Sequence, residues 1–445
     1  MTLHGHVAAT HPLSPRRAFS GLPPSIRSLV DYSPASLWEQ ETNQLPAALG
    51  ASRRRFRQFA QDFLRPYALT TDLEPYGPSL DIVLTEAARH GLLSDILPFP
   101  FGSLSLRQAR YPLHWAQSIK MEELSVECGG LALAIGANAL GIMPLLLSGS
   151  LTVGRKFILP ACRKNLRGQP TLFSFAITEP SGGSDVEDSD GARHYIPRTL
   201  ASRVEGGWRL NGRKVFISGG DRADFITVFA ALAGEGMESW TCFLLEGNNP
   251  GLTIGRNELK MGQRASAATE LIFEDAIVPD SHVIGGLRRG WAINRAVLNF
   301  SRIPVGAIAL GIARGAAERA TEFACQTKLG GKRLIDYQDI QLEVAQMLLD
   351  TSAMRAMVWQ SAATWTPTQA RASMTKVFCA DMAMQTCQRA MNLMGNQGCL
   401  QENGAEKAYR DARLTQIYEG TNQINRLSVI EDQLEALELL MAGRG

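Results

Sequence analysis

The stretch Gln416-Ile-Tyr-Glu-Gly-Thr-Asn-Gln-Ile-Asn-Arg426 sets a carboxylate, Glu419, directly before a glycine and a threonine that open an amphipathic helix. Gly420 marks a bend and Thr421 has the side chain of a helix N-cap, so Glu419 is predicted to project from the connection into whatever lies opposite. A lone glutamate in that place is also explained by solvation or by the helix dipole. The last histidine is His282, so any base in the final third of the chain must be a carboxylate, amine or phenol. Two earlier stretches add ligand chemistry. In Ala176-Ile-Thr-Glu-Pro-Ser-Gly-Gly-Ser-Asp185, Thr178 and Ser184 offer hydroxyls, while Gly182 and Gly183 could let backbone amides approach a planar or anionic ligand. In Asn211-Gly-Arg-Lys-Val-Phe-Ile-Ser-Gly-Gly220, Phe216 and Ser218 are two apart and so share one face of a strand, an aromatic beside a hydroxyl. The plain alternatives are a strand ending in a glycine-rich turn and a half-buried strand.

These residues need a scaffold. A chain of 445 residues is too long for one simple core and implies two or three packed units. The net charge of +2 leaves no concentrated basic stripe, which excludes nucleic acid as a partner. Seven scattered cysteines without a C-x-x-C pair point to reduced thiols, with neither a disulfide framework nor a metal site. Residues 1–35 are expected to be a disordered tail. Its acid-free start, with Arg16, Arg17 and Arg27, reads as a bacterial tail on a cytoplasmic protein or as a transit peptide to the mitochondrial matrix. Gly129 to Leu147 approaches the length of a bilayer span, but Asn138, Pro144 and its small residues predict a buried core helix and no membrane span.

Helical spacing, as in Phe56, Phe59, Ala60, Phe63 and Leu64, runs from Ser36 to Asn165. Short alternating runs follow from Thr171, among them one in which Asn211-Gly212 is expected to be a two-residue hairpin turn. After Gly290 four long helical segments return, near 291–328, 336–363, 370–394 and 404–441, the description of a bundle. Strands do not alternate with helices, so a dinucleotide-binding α/β fold is excluded.

With Gly311-Ile-Ala-Arg-Gly-Ala-Ala317, Tyr337-Gln-Asp-Ile-Gln341 and Arg410-Asp-Ala-Arg413 in support, the three stretches resemble the acyl-CoA dehydrogenase family, from about Ser36 to the C-terminus. The resemblance implies an α+β fold: an N-terminal helical domain (36–170), a middle antiparallel β-barrel-like domain (171–282) and a C-terminal four-helix bundle (283–445). It implies FAD, held by Phe175, Ile177, Thr178, Ser184, Phe216, Ile217, Ser218, Gln338, Asn392, Gly395, Thr421 and Gln423. Substrate would meet Ser184, Asn299 and Arg302, although an arginine in a helix is equally explained as a structural ion-pair partner. Glu419 would take an α-proton from an acyl thioester as hydride leaves the β-carbon for flavin N5. The implied partners are acyl-CoA or an acyl-carrier-protein thioester, an electron-transfer flavoprotein as acceptor, and further copies in a homodimer or homotetramer.

Four departures qualify this. Relatives that carry the base on an earlier helix have it where this chain reads Asn299-Phe-Ser-Arg302, without a carboxylate. The family's R-x-x-F-G run reads Thr327-Lys-Leu-Gly-Gly331, leaving Lys328 or Lys332 as partial substitutes for an arginine that binds FAD. The family's Q-x-x-G-G reads Asn392-Leu-Met-Gly-Asn396, a milder change. The stretch Glu187 to Pro197 looks lengthened, and with Arg193, His194 and Arg198 it is either a site for CoA phosphates or an acidic carrier protein, or a solvated loop. A carrier-protein thioester dehydrogenase, a flavin oxidase of the same fold and a non-catalytic acyl-thioester binding protein are the competing readings.

Overall fold

A computed structural model describes residues 21–27, 35–187 and 189–442. The greater part of the expected tail, including Arg16 and Arg17, lies outside the described residues; within it, Pro24–Arg27 form one exposed helical turn. The chain divides into two compact units, residues 1–54 and 55–445.

In the first unit, helix α1 (Leu37–Gln44) opens with a capping box: Ser36 Oγ accepts from the Glu39 amide at 3.3 Å and the Glu39 carboxylate accepts from the Ser36 amide at 2.9 Å. Helix α2 (Ala47–Phe59) begins there, and its buried Arg53 donates to Thr42 Oγ1 at 3.1 Å.

In the second unit the helical period holds. Phe56, Phe59, Ala60 and Leu64 are buried, and the Phe63 ring lies 5.2 Å from that of Phe59. Helices α3 (Pro78–Arg89), α4 (Leu113–Glu127), α5 (Gly129–Leu147) and α6 (Leu159–Asn165) follow. The polar interruption in α5 is its link to the sheet. Asn138 Nδ2 donates to Leu93 O at 2.9 Å, and Asn138 Oδ1 accepts from the Phe173 amide at 2.8 Å. A Cβ on Gly141 would stand 2.5 Å from the Phe173 backbone, so the helix needs glycine to approach so closely.

Strands β1 (Phe173–Ala176), β2 (Leu200–Val204), β3 (Gly207–Ser218), β4 (Phe225–Leu232), β5 (Thr241–Glu246), β6 (Leu252–Asn257), β7 (Ala268–Pro279) and β8 (Val283–Ile284) form one sheet in the order β6-β7-β3-β2-β4-β5-β8, with β1 beside β4. Most pairings are antiparallel, but β1–β4 and β2–β4 are parallel, and β2 meets β4 at only two residue pairs. Leu210, Ile217, Ile226, Phe243, Leu271 and Phe273 fill the core against it. The expected hairpin at Asn211-Gly212 is absent. Those residues lie inside β3 at a bulge, where pairing with β7 skips from Leu210 to Gly212. Glycine stands there because a Cβ would fall 2.5 Å from Thr199 Cα. The two-residue turn is instead Glu205-Gly206, between the paired Val204 and Gly207.

The bundle comprises α7 (Gly290–Gln326), α8 (Gln338–Ala362), α9 (Gln369–Met394), α10 (Ala405–Thr415) and α11 (Asn422–Ala442). The segment expected over 404–441 is therefore two helices, broken at Gln416–Thr421. Helices α5 and α7 are both long and apolar enough to cross a bilayer, and both are largely covered by the protein. Where α7 crosses α4, a Cβ on Gly311 would stand 2.3 Å from Glu122 O and one on Gly315 2.2 Å from Val126 O. Between them the buried Arg314 reaches Glu122 at 2.5 Å and Glu123 at 2.6 Å, and Arg355 of α8 reaches Glu122 at 3.0 Å.

Removing one member of such a buried cluster leaves charge without its counterpart. Arg314→Met is therefore expected to destabilise the protein by about 3–5 kcal/mol, read as a lowered urea midpoint; an unchanged midpoint would show that α4 and α7 are held by apolar packing alone.

Candidate active site

The break between α10 and α11 places two consecutive residues in the left-handed region, Glu419 at φ 55° and Gly420 at φ 79°. Glycine adopts this freely, whereas a glutamate does so at a cost that its surroundings must over-determine. Those surroundings are visible. Lys376, buried on α9, donates to Gly420 O at 2.7 Å and Asn422 Oδ1 at 2.8 Å. Asn425 Nδ2 donates to Gly420 O at 2.9 Å and Thr421 O at 3.0 Å. Thr421 caps α11 as expected, its hydroxyl accepting from the Ile424 amide at 3.2 Å. The Glu419 carboxylate then faces α7, where Ser301 Oγ donates to Glu419 Oε2 at 2.6 Å.

Burial raises the proton affinity of Glu419 above the usual carboxylate range, against the opposing pull of the Ser301 hydrogen bond and the charges of Arg302 and Lys376. Glu419 and Ser301 line a small apolar cavity of about 60 Å³ between α4, α5 and α7, walled by Met121, Leu133, Gly136, Leu140, Phe300, Pro304 and Ile308. A larger cavity of about 370 Å³ beside Glu127, Arg319 and Lys407 is polar, and none of the site residues expected from the sequence lines it.

The glycine-rich turn reaches the same place. Ser184 Oγ accepts from the Thr421 amide at 3.3 Å. Gly182, however, is not free to meet a ligand: its amide donates to Glu179 O at 3.2 Å, and a Cβ there would strike the Tyr195 ring at 2.3 Å. Thr178 O accepts from the Val215 amide at 2.9 Å, which brings Thr178 beside Phe216. Phe216 itself does not sit in a regular strand. Its φ is 60°, the pairing of β3 with β7 skips from Lys214 to Ile217, and the ring is 59% exposed. Among the described residues no side chain partners the hydroxyls of Thr178 or Ser218. An exposed aromatic with two such hydroxyls fits the edge and face of a flavin. Phe175 and Ile177 pack at the margin of the helix–sheet core, and Ile217 is buried in the β core. Beneath them Lys214 donates to Ile177 O at 2.6 Å and Glu179 Oε1 at 3.0 Å. Burial alone would raise Glu179, but the charge of Lys214, the Arg198 amide and the Tyr195 hydroxyl hold it down at about 2.

Other expected residues stand elsewhere. Gln338, Asn392, Gly395 and Gln423 are exposed on the bundle, Asn392 accepting from Gln388 at 2.8 Å, and among the described residues none hydrogen-bonds the Glu419 cluster. Asn299 gives its amide to Pro367 O at 3.0 Å. Arg302, expected at the substrate, is buried and spends its donors on protein: Ser373 at 3.0 Å, Glu187 at 3.1 Å and Glu419 O at 3.4 Å. It supports the turn from behind. At Thr327–Gly331, strands β9 (Lys328–Leu329) and β10 (Lys332–Arg333) form a hairpin on Gly330 and Gly331, and the Lys332 ammonium lies 3.7 Å from the Tyr337 ring centroid. Lys332 is thus occupied within its own hairpin and is no ready substitute for the missing arginine.

Sequence reasoning missed Ser301, Lys376 and Glu187. For Ser301 a signal existed: it stands in the Asn299–Arg302 run where some relatives carry the base, and a hydroxyl there bonds the base that comes from the other side.

The family profiles for the acyl-CoA dehydrogenase N-terminal, middle and C-terminal domains match residues 49–165, 174–276 and 288–434. An acyl-CoA dehydrogenase of Bacillus subtilis is 32% identical over 385 residues, 85% of this chain and 95% of that one. A cyclohex-1-ene-1-carbonyl-CoA dehydrogenase of Geobacter metallireducens is 34% identical over 346 residues, 76% of this chain and 86% of that one. Among solved structures, butyryl-CoA dehydrogenase from Megasphaera elsdenii superposes with a TM-score of 0.79 at 28% identity, covering 88% of this chain and 99% of that one. An acyl-CoA dehydrogenase complexed with FAD from Bacillus anthracis gives 0.77 at 26% identity, covering 88% and 69%. The fold, the clustered Glu419, Ser184 and Thr421, and these matches agree: the chain belongs to the acyl-CoA dehydrogenase family, and is an FAD-dependent oxidoreductase of that family.

Proposed function

We propose that Glu419 removes the α-proton of an acyl-CoA thioester whose acyl group lies in the cavity between α4, α5 and α7, yielding the trans-2-enoyl thioester. The observation that carries this is a carboxylate of raised proton affinity lining an apolar cavity, with Ser301 fixing its orientation. Phe216, Thr178 and Ser218 would hold the flavin edge. Bound FAD supplies the acceptor for the hydride leaving the β-carbon. A carboxylate whose proton affinity is raised by burial suits this chemistry, because it is a stronger base than an exposed one. The family resemblance assigns the Glu419 amide to the thioester oxygen, where it would stabilise the developing enolate.

The cavity is small, and in its wall Met121 packs directly on Gly136: a Cβ on Gly136 would stand 2.7 Å from Met121 Cε. A compact acyl group, a short chain or a small ring, fits this best, in line with the butyryl and cyclohexenyl thioesters named for two relatives. The family resemblance points to an electron-transfer flavoprotein as the acceptor. The homodimer or homotetramer finds support in the exposed Leu427, Ile430, Leu434 and Leu437, an apolar stripe at helical spacing along α11. Seven unpaired cysteines suit the reducing bacterial cytoplasm or mitochondrial matrix.

Glu419→Gln preserves packing and removes proton acceptance, so FAD should stay bound while anaerobic flavin reduction by butyryl-CoA falls by about 10⁴-fold; reduction at the parental rate would refute the base assignment. Ser301→Ala removes a donor to the carboxylate and raises its proton affinity further. Because reduction requires ionised Glu419, the rate is lost as pH falls through that value, and the acid limb should move up by about one pH unit; a limb that stays put would show that the hydrogen bond only orients. Gly136→Val presses on Met121 and narrows the cavity, so bulky acyl thioesters should lose more kcat/KM than butyryl-CoA. Equal losses would place the acyl group elsewhere.

A further inference from the structure

The lengthened stretch that begins at Glu187 turns that carboxylate inward. The Glu187 side chain is 11% exposed, with Oε2 3.1 Å from Arg302 Nη2. A Cβ on Gly420 would stand 2.1 Å from Glu187 Oε2, so this carboxylate lies directly behind the turn that carries Glu419. Arg302 therefore serves two glutamates unequally. It gives Nη2 to the Glu187 carboxylate, but to Glu419 only Nε, toward the backbone oxygen at 3.4 Å. The Glu419 carboxylate takes its hydrogen bond from the neutral Ser301.

The remaining charges around Glu419 are accounted for. From α9 come Lys376, bound to Gly420 O and Asn422, and Asp381, paired with Arg426 at 2.7 Å. From α7 comes Arg295, paired with Glu431 at 3.0 Å, and from the connection itself Tyr418. Arg302 already draws the proton affinity of Glu419 down, and without Glu187 its attraction would fall on Glu419 unshared. Burial pushes Glu187 up to about 7, the charge of Glu419 adds to this, and Arg302 and Lys376 oppose it.

We propose that Glu187 is a positioning residue for the reaction: by engaging Arg302 behind the Gly420 turn, it keeps the guanidinium from Glu419 and leaves Glu419 the stronger base. The inference rests on Glu419 being the base. An unengaged guanidinium next to a carboxylate lowers its pKa by about 1–3 units, so the sign is determined: without Glu187, Glu419 ionises at lower pH.

The test is the pH dependence of anaerobic flavin reduction by butyryl-CoA in the FAD-loaded full chain. For Glu187→Gln the acid limb should move down by about one pH unit, giving about tenfold faster reduction below the parental limb and a slower plateau above it, with KM unchanged. Glu187→Asp, which keeps the charge, should restore the parental limb, and adding Arg302→Gln to Glu187→Gln should abolish the downward shift. A limb that does not move in Glu187→Gln, with a lowered unfolding temperature, would make Glu187 a structural ion-pair partner and overturn the proposal. If Glu187→Gln does not retain FAD, infrared titration of the full chain without FAD decides: a Glu419 carboxyl that titrates at lower pH in Glu187→Gln than in the parent supports the proposal, and an unchanged one overturns it. Glu419→Gln separates the two levels, since full reduction by that variant would overturn the base assignment, whereas its failure beside an unmoved Glu187→Gln limb would overturn only the role of Glu187.

Discussion

Four charged side chains, Glu187, Glu419, Arg302 and Lys376, meet in the interior, and the reactive geometry depends on their balance. Two carboxylates face two basic groups, so each side chain that ionises has a counterpart, which is the condition under which buried ions are tolerated. The cations do more than neutralise. Lys376 and Arg302 both bond backbone oxygens of the Glu419–Gly420 turn, and so hold a glutamate in a left-handed conformation that it would otherwise leave. Burial then works in the direction of function, because the low-dielectric surroundings that make the cluster costly also raise the proton affinity of Glu419.

Helix α7 carries this arrangement through the protein. Ser301 and Arg302 lie at one level of the helix and Arg314 twelve residues further on, about 18 Å at the α-helical rise. The far end is locked to α4 by the Arg314 cluster and by the close approach at Gly311 and Gly315, and α4 is also one wall of the apolar cavity beside Glu419. The helix whose Ser301 bonds the Glu419 carboxylate is therefore also a wall of the cavity that this carboxylate lines. Carboxylate and cavity keep a common frame, which is what orientation-dependent proton removal requires.

The Phe216 side of the cluster is built by a different device. Phe216 leaves the pleat through a bulge and a positive φ, and Thr178 is tied to the same strand through Val215. Ser184 joins that side to the base through the Thr421 amide. The two halves of the site, sheet and bundle, thus share a direct hydrogen bond at the residue next to the catalytic turn.

Local periodicity and local turn chemistry were legible from the residues alone. The helical spacing of Phe56 to Leu64, the alternating runs after Thr171, the N-cap at Thr421 and the bend at Gly420 all depend on neighbours within one or two turns, and each is found. So is the role of Asn138 as an interruption that fits a core helix. What sequence could not decide are contacts between residues far apart in the chain. Asn211-Gly212 has the composition of a hairpin turn, but the approach of Thr199 makes it a bulge. Arg302 reads equally as a substrate contact or as an ion-pair partner until Glu187, 115 positions earlier, is found against it. Ser301 and Glu419, 118 positions apart, become partners only when α7 and the α10–α11 connection are packed together. The physical reason is the same in each case: the strength of a base is set by the charges, dipoles and burial within a few ångströms of it, and tertiary packing alone determines which side chains occupy that space.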